Sequence, residues 1–166
     1  QVFTVQIVIM ELGMNLITFS LFGDNPLYCQ GAVENANLAR VIYPEWTARF
    51  YVAQDVPEDY IKEIEDYGAE VVRCEKKNSY DGLNWRFRPL SSLKVHYWIS
   101  RDADSRLSWR ERNAVDEWME SDKSAHLLRD CHNHGFTIMA GMFGINNKLF
   151  HERYGVLNLD NANANY

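Results

Sequence analysis

The sequence is poor in the residues and motifs that identify several common protein classes. Its three cysteines, Cys29, Cys74 and Cys131, lie far apart and form no C-x-x-C motif. An odd number of widely spaced cysteines favours reduced thiols in the cytosol over a disulfide framework, and a zinc ribbon would need the missing motif. No apolar run is long enough to span a membrane. These absences predict a cytoplasmic protein without a membrane span.

A net positive charge and glycine-rich nucleotide-binding motifs are missing as well. The net charge of −6 and the pI near 5.3 argue against general nucleic-acid binding, which needs a basic face. There is no G-x-G-x-x-G after the first apolar run and no G-x-x-x-x-G-K-[ST] anywhere, so dinucleotide-binding and P-loop proteins lose support. A local basic pocket for a small phosphate ligand stays compatible with this composition.

The chain has enough apolar material for one domain. It has 166 residues, of which 46% are hydrophobic and 13% aromatic, so a sizeable core can form and general disorder is excluded. We expect this single domain to occupy residues 14–166. Residues 1–13 are largely apolar but lack a basic n-region and a clear cleavage site, so they are either a leader foreign to the domain or an extra edge strand.

Short apolar runs alternate with helical patterns along the chain. Strands are predicted over residues 15–21, 48–53, 69–73, 95–100 and 136–140. One helix is predicted over residues 31–43, and a second follows an N-cap at Asp55, with Pro57 in its first turn. A third helix is predicted over residues 109–119, behind a capping box of Ser108 and Glu111. This alternation predicts an α/β fold with a mainly parallel sheet flanked by helices on both faces. In such sheets, ligands bind beyond the carboxyl ends of the strands.

Paired aspartates follow the fourth predicted strand. Asp102 and Asp104 stand one residue apart, and an extended segment at a strand end aims such a pair into one crevice. Two hard oxygen donors suit Mg²⁺ or Mn²⁺, whose further ligands are often phosphate oxygens. Eleven aspartates in 166 residues give about one D-x-D by chance, so a solvated turn with a helix-capping aspartate is the alternative. The end of the first strand, Ser20 to Gly23, can face the same crevice.

Three sequence blocks carry a resemblance to a known family. They are Phe19–Pro26 with Tyr28 and Gly31; Trp85–Phe87 with Arg101–Leu107, Arg110–Glu111 and Val115–Trp118; and Leu128–His134 with Met139–Ile145. Their combination is far more specific than the D-x-D motif alone. The chain resembles nucleotide-diphospho-sugar glycosyltransferases of the GT-A type, which implies a Rossmann-like fold. More narrowly, it resembles the N-terminal glycosyltransferase domain of capsid-glycosylating proteins of large algal (chlorella) DNA viruses, and its bacterial relatives.

The resemblance implies a metal-dependent glycosyltransferase. It would move a sugar from a nucleotide-diphosphate donor, UDP-linked as in UDP-glucose, to a glycan or glycoprotein acceptor, with retention of the anomeric configuration. Asp102 and Asp104 would hold Mn²⁺ or Mg²⁺ against the donor phosphates, where the ion stabilises charge on the departing nucleotide diphosphate. A viral enzyme of this kind would work in the host cytoplasm.

The resemblance also implies where the donor binds. The end of the first strand and Tyr28 would form the nucleotide pocket, in which a backbone edge reads the base and an aromatic ring stacks on it. Gly141 and Gly144 would bracket a turn that lets the backbone approach the sugar. Arg101 and Arg106 suit phosphate groups, although Arg101 is equally well explained by a structural ion pair. The residues expected to bind the nucleotide sugar are Ser20, Leu21, Phe22, Gly23, Tyr28, Arg86, Arg101, Asp102, Ala103 and Gly141.

The segment around Asp130 supplies the expected catalytic groups. Asp130 would bind sugar hydroxyls or stabilise an oxocarbenium-like centre, and His134 would relay a proton or add a metal ligand. His132 is better explained as a loop residue bonded to the backbone. Two other functions stay open: a metal-dependent hydrolase that activates water with this Asp/His cluster, and a non-catalytic nucleotide-sugar or carbohydrate-binding module. Core or near-core positions are predicted for Trp85, Trp98, Trp109 and Trp118. The remaining histidines, His96, His126 and His151, are predicted to be structural or surface residues.

Overall fold

The structure of the chain is a computed structural model that describes residues 13–76, 80–129, 138–157 and 159. The strands are β1 (Met14–Leu21), β2 (Thr47–Ala53), β3 (Glu70–Cys74), β4 (Val95–Arg101), β5 (Ala125–Leu127) and β6 (Met142–Asn146). The helices are α1 (Pro26–Ile42), α2 (Glu58–Asp66), α3 (Asp81–Asn84), α4 (Trp109–Met119) and α5 (Asn147–Tyr154), with a 3₁₀ helix over Trp85–Ser91. No helix in these described ranges is both long and apolar enough to cross a bilayer.

The strand order β3-β2-β1-β4-β6-β5 places the first and fourth strands side by side in the middle of the sheet. β1 is parallel to β2 and β4, and β2 is parallel to β3, whereas β6 is antiparallel to β4 and β5. The order of the strands reverses between β1 and β4, and such a reversal opens a crevice at their carboxyl ends. The predicted α/β fold with a mainly parallel sheet is confirmed.

Both faces of the sheet are covered. Because successive strand residues point to opposite faces, Ile17 and Phe19 pack into the cluster that includes α1, α2 and α4, while Leu16 packs with Trp98 on the other side. Phe19 stacks on Phe50 of β2 with ring centroids 4.5 Å apart, which ties the two strands together at this face. The predicted helix layers on both faces are therefore confirmed, as buried parallel strands require.

The first helix begins five residues before its predicted start, at Pro26. Asn25 is the N-cap, since its side chain accepts a hydrogen bond from Leu27 N at 3.0 Å, and Pro26 occupies the first turn. The predicted N-cap role of Asp55 is wrong. The second helix begins after Pro57 without a side-chain cap, and Asp55 instead accepts from Gly23 N at 2.7 Å.

The last strand lies downstream of its predicted position. Residues 136 and 137 fall outside the described ranges, and 138–140 are not strand, whereas Met142–Asn146 is. The predicted turn between Gly141 and Gly144 is wrong, because Gly144 lies within β6. The sequence interpretation missed α5, which docks through Phe150 against the Trp98 cluster and through the amide of Asn147, which donates to Pro89 O at 2.7 Å. A helix of eight residues with few apolar positions shows no clear apolar period.

Candidate functional site

The crevice between β1 and β4 opens into a cavity of about 420 Å³. This volume is within the range of small-molecule sites. Of the predicted site residues, the cavity is lined by Ser20, Leu21, Phe22, Tyr28, Arg86, Asp102, Ala103 and Asp104. Sequence reasoning missed Asn25 and Leu83, which line it too. The helix-capping pattern at Asn25 and Pro26 was the signal that could have placed Asn25 at this strand end.

Asp102 forms an ion pair with a buried arginine. Only 6% of Arg86 is exposed, whereas 40% of the Asp102 side chain is. Arg86 Nη1 contacts Asp102 Oδ1 and also donates to Arg101 O at 3.0 Å. Its Nε has no hydrogen-bond partner in the described part of the chain. This Nε is buried, but Arg86 also lines the first cavity, where its guanidinium charge can attract a second anion.

Gly141 brings the segment before β6 into close contact with Asp102. A Cβ atom on Gly141 would lie 2.0 Å from Asp102 Oδ2 and 2.3 Å from its Cγ. Any side chain at this position would therefore displace the carboxylate. The close approach explains why glycine is needed here, and Gly141 lines a second cavity and not the first.

The two aspartates reach the first cavity from a turn, not from an extended strand. β4 ends at Arg101, and Ser105 N donates to Asp102 O at 3.2 Å to close the turn. The predicted strand geometry of the pair is wrong, although both carboxylates do line one cavity. Asp104 is exposed and forms no hydrogen bond or ion pair with any described residue. Its carboxylate is available to a ligand.

A buried asparagine of α1 fixes this turn. Asn35 Nδ2 donates to Ala103 O at 3.2 Å and to Ser105 O at 2.8 Å, and its Oδ1 accepts from Leu107 N at 3.0 Å. One helical turn earlier, Gly31 leaves room for the same loop, since a Cβ there would lie 2.2 Å from Ala103 O. Sequence reasoning missed Asn35, because an asparagine on the buried side of a helix only interrupts the apolar pattern.

Arg101 is held inside the fold by several acceptors. It is 3% exposed, its Nε lies 2.5 Å from Glu111 Oε1, and its Nη1 donates to Ser100 O at 2.8 Å and Phe143 O at 3.1 Å. Glu111 is therefore paired with Arg101 in place of the expected reciprocal cap. The other half of the capping box is confirmed, since Ser108 Oγ accepts from Glu111 N at 3.3 Å.

A second cavity, of about 780 Å³, adjoins the first. Asp102 lines both cavities, so they meet at this carboxylate. Arg101 and Gly141 of the predicted set line the second cavity, and Arg106 lines it while pairing with Glu34. Gly23 lines neither cavity; it is a turn residue with φ of 75°. Asp130, His132 and His134 lie outside the described residues, as do residues 1–12.

The mouth of the first cavity carries aromatic and apolar groups. Tyr28 is 42% exposed and Leu83 is also exposed. Lys76 Nζ lies over the ring of Phe22, 5.4 Å from its centroid, and forms an ion pair with Asp55 at 2.5 Å. An exposed tyrosine ring beside a strand edge can stack on a planar base while the backbone bonds to the base edge.

The carboxylates of the site suit a metal ion whose remaining coordination positions are filled by a bound ligand. Within the described ranges there is no group of three or more His, Cys, Asp or Glu side chains that could hold an ion by themselves. Mg²⁺ is commonly bound through one or two carboxylates together with phosphate oxygens and water. Asp102 and Asp104 supply two hard donors to one cavity, which is the set that such binding needs.

The predicted structural aromatics and histidines are mostly confirmed. Trp85, Trp98 and Trp118 are buried. The core or near-core position predicted for Trp109 is wrong, because this residue is 58% exposed at the start of α4. His126 stacks on Trp118 with centroids 5.3 Å apart, and burial, followed by the nearby Arg101 charge, lowers its pKa to about 4. It is therefore a neutral packing residue at physiological pH.

No model of a known protein family matches the chain, and no curated protein sequence does either. Solved structures match it by fold. The mannosyltransferase PcManGT from Pyrobaculum calidifontis, in complex with GDP-Man and Mn²⁺, matches with a TM-score of 0.53 at 10% identity, over 87% of this chain and 48% of its own. The 4-diphosphocytidyl-2C-methyl-D-erythritol synthase of Anaerococcus prevotii matches with a TM-score of 0.49 at 12% identity, over 84% of this chain and 74% of its own.

The galactosyltransferase LgtC, in complex with donor and acceptor sugar analogues, matches with a TM-score of 0.48 at 13% identity, over 84% of this chain and 60% of its own. The chain thus spans about half of the mannosyltransferase, 48% of its length. At these identities the match to that enzyme establishes the fold. The chain has a GT-A-like, Rossmann-like fold.

Proposed function

We propose that this chain is the donor-binding part of a metal-dependent glycosyltransferase. It would transfer a sugar from a nucleotide-diphosphate donor, with UDP as the nucleotide, to a glycan or glycoprotein acceptor. The mannosyltransferase that shares its fold was seen with GDP-Man and Mn²⁺, which supports this class of donor and ion. Retention of configuration and a role in capsid glycosylation are proposed from the sequence resemblance alone.

One observation carries the proposal. A single cavity at the reversal of the strand order collects a backbone edge at Ser20 to Phe22, the exposed ring of Tyr28, and both carboxylates of the D-x-D motif. Base, diphosphate and metal each have a chemically matching group there. This is also the position at which open α/β sheets bind nucleotides.

The residues divide the work of holding the donor. Tyr28 stacks on the base and the β1 edge bonds to it, while Arg86, which lines the cavity, attracts the diphosphate with its guanidinium charge. Asp102 and Asp104 would hold Mn²⁺ or Mg²⁺. When bound, that ion stabilises the negative charge of the leaving nucleotide diphosphate as a Lewis acid. Asp130 and His134 keep their proposed roles at the transferred sugar.

Thermal unfolding with nucleotide and metal tests the proposal. UDP or GDP with Mn²⁺ should raise the melting temperature, and EDTA should abolish that rise, because binding to the folded state alone stabilises it. Asp104→Ala should keep the ligand-free melting temperature and lose the Mn²⁺-dependent rise, since this side chain has no partner in the described chain. An Asp104→Ala protein that responds normally to UDP and GDP with Mn²⁺ would refute the metal assignment.

A further inference from the structure

One side of α4 presents three unpaired polar side chains to the second cavity. Arg110, Asn113 and Glu117 are spaced i, i+3 and i+7 and all line this cavity. All three are exposed, and none of their side chains has a hydrogen bond or ion pair within the described ranges. Charges elsewhere on the same helix are paired, as in the 2.8 Å contact of Arg112 Nε with Asp116 Oδ1. The row is therefore free to bind a ligand.

Apolar side chains line the same cavity. Leu128, Met139 and Met142 are half-buried and contribute to its lining. A cavity with both apolar walls and a few polar groups is typical of small-molecule sites, and its volume of about 780 Å³ is adequate for such a ligand. A pyranose has matching chemistry, since its hydroxyl edge forms hydrogen bonds and its C–H face packs on apolar groups.

The charge balance of the free row selects among ligands. It contains one guanidinium, one carboxylate and one amide, and the whole lining carries four arginines and three acidic side chains, so the balance favours neither a strongly anionic nor a strongly cationic ligand. Arg110 supplies donors, Glu117 supplies acceptors and Asn113 supplies both, and a sugar hydroxyl needs both kinds of partner. Neutral, polyhydroxylated ligands fit this set best.

We infer that the second cavity binds a neutral saccharide as the acceptor, through Arg110, Asn113 and Glu117. The inference rests on the proposed function, because the donor cavity defines what an adjoining ligand would do. Asp102 lines both cavities, so a saccharide in the second one lies next to the diphosphate end of the donor site. The GT-A-like fold does not itself specify these three residues.

Ligand-observed NMR with methyl hexosides tests the inference on the whole chain. Saturation transfer to the methyl glycosides of glucose, galactose and mannose is measured with UDP and Mg²⁺ present, next to a serine-containing hexapeptide. At least one hexoside should bind. Glu117→Ala should weaken that binding about tenfold, because a hydrogen-bonded charged group is lost. Glu120→Ala is the matched control: this exposed glutamate follows the same helix and lines neither cavity.

The outcomes separate this inference from the proposed function. Hexoside binding that is weakened by Glu117→Ala and Asn113→Ala but not by Glu120→Ala supports it. Binding of the peptide alone, of no probe, or of a hexoside with equal strength in all variants overturns it. If one of these three outcomes is found but UDP or GDP with Mn²⁺ still raises the melting temperature of the chain, the proposed function survives. If hexoside binding depends on Glu117 while no nucleotide binds, the saccharide site stands and the transferase proposal fails.

Discussion

The guanidinium of Arg86 occupies one carboxylate oxygen of Asp102, the aspartate at which the two cavities meet. In the ligand-free chain, this arginine is thus positioned as a competitor of a metal ion for the same oxygen. A nucleotide diphosphate would attract the guanidinium, since Arg86 lines the first cavity and carries a positive charge. Metal and diphosphate should therefore favour each other's binding, by reciprocal coupling.

Arg86→Met tests this coupling by titration calorimetry. Without nucleotide, the variant should bind Mn²⁺ more tightly than the wild type, because the competing cation is gone. With Mn²⁺ present, it should bind UDP about tenfold more weakly, because a charge-assisted hydrogen bond is lost. Arg88→Met is the control from the same 3₁₀ helix, since Arg88 contacts Cys74 Sγ at 3.2 Å and lines neither cavity. Unchanged Mn²⁺ affinity in Arg86→Met would contradict the competition.

Gly141→Ala should destabilise the chain through Asp102 alone. The new methyl group would meet Asp102 Oδ2 at 2.0 Å, and its three nearest atoms all belong to that carboxylate. Overpacking of this kind typically costs about 1–3 kcal/mol in the free energy of unfolding. Urea denaturation should show that loss when Gly141→Ala is compared with the wild type, and a much smaller loss when the double variant is compared with Asp102→Ala, which by itself lacks the ion pair to Arg86. An equal loss in the two comparisons would mean that the contact is not the cause.

Asn35→Ala should disorder the turn that carries both aspartates. Three hydrogen bonds, two of them buried, would be lost, which leaves Ser105 O and Leu107 N without their Asn35 partner. We expect the free energy of unfolding to fall by about 1–3 kcal/mol, and the stabilisation by UDP with Mn²⁺ to shrink. Asn113→Ala, at an exposed asparagine of α4, should leave the unfolding energy unchanged. A stable Asn35→Ala variant with normal ligand response would show that the turn forms without it.

His126 makes the stability depend on pH. Burial lowers its pKa from 6.5 to about 4 in the folded chain, so the unfolded chain binds the proton more readily. The free energy of unfolding should therefore fall as the pH drops from 6.5 toward 4. His126→Phe keeps a ring against Trp118 and should show a shallower fall over this window. The comparison uses urea midpoints at several pH values, and identical slopes would exclude the histidine as a cause.

Local patterns were sufficient for the elements that depend on local chemistry. Ser108 predicted the start of α4, and the apolar run at 95–100 predicted β4, because capping and burial leave clear marks in neighbouring residues. The start of α1 was missed although Asn25 and Pro26 mark it locally, whereas α5 has no such Asn-Pro mark. Asn147 docks its helix through hydrogen bonds to residues 89 and 92, more than fifty positions away. No local period reports such contacts.

The sequence by itself determined the α/β class, the paired aspartates and the strand ends that they follow. The tertiary structure alone decided that Ser20 and Asp102 share a cavity, because the reversal of strand order between β1 and β4 depends on long-range pairing. It also decided that Arg86 neutralises Asp102 and that Gly141 lies against it. These contacts join segments that are distant along the chain, and their energies are set by packing and burial, which neighbouring residues do not encode.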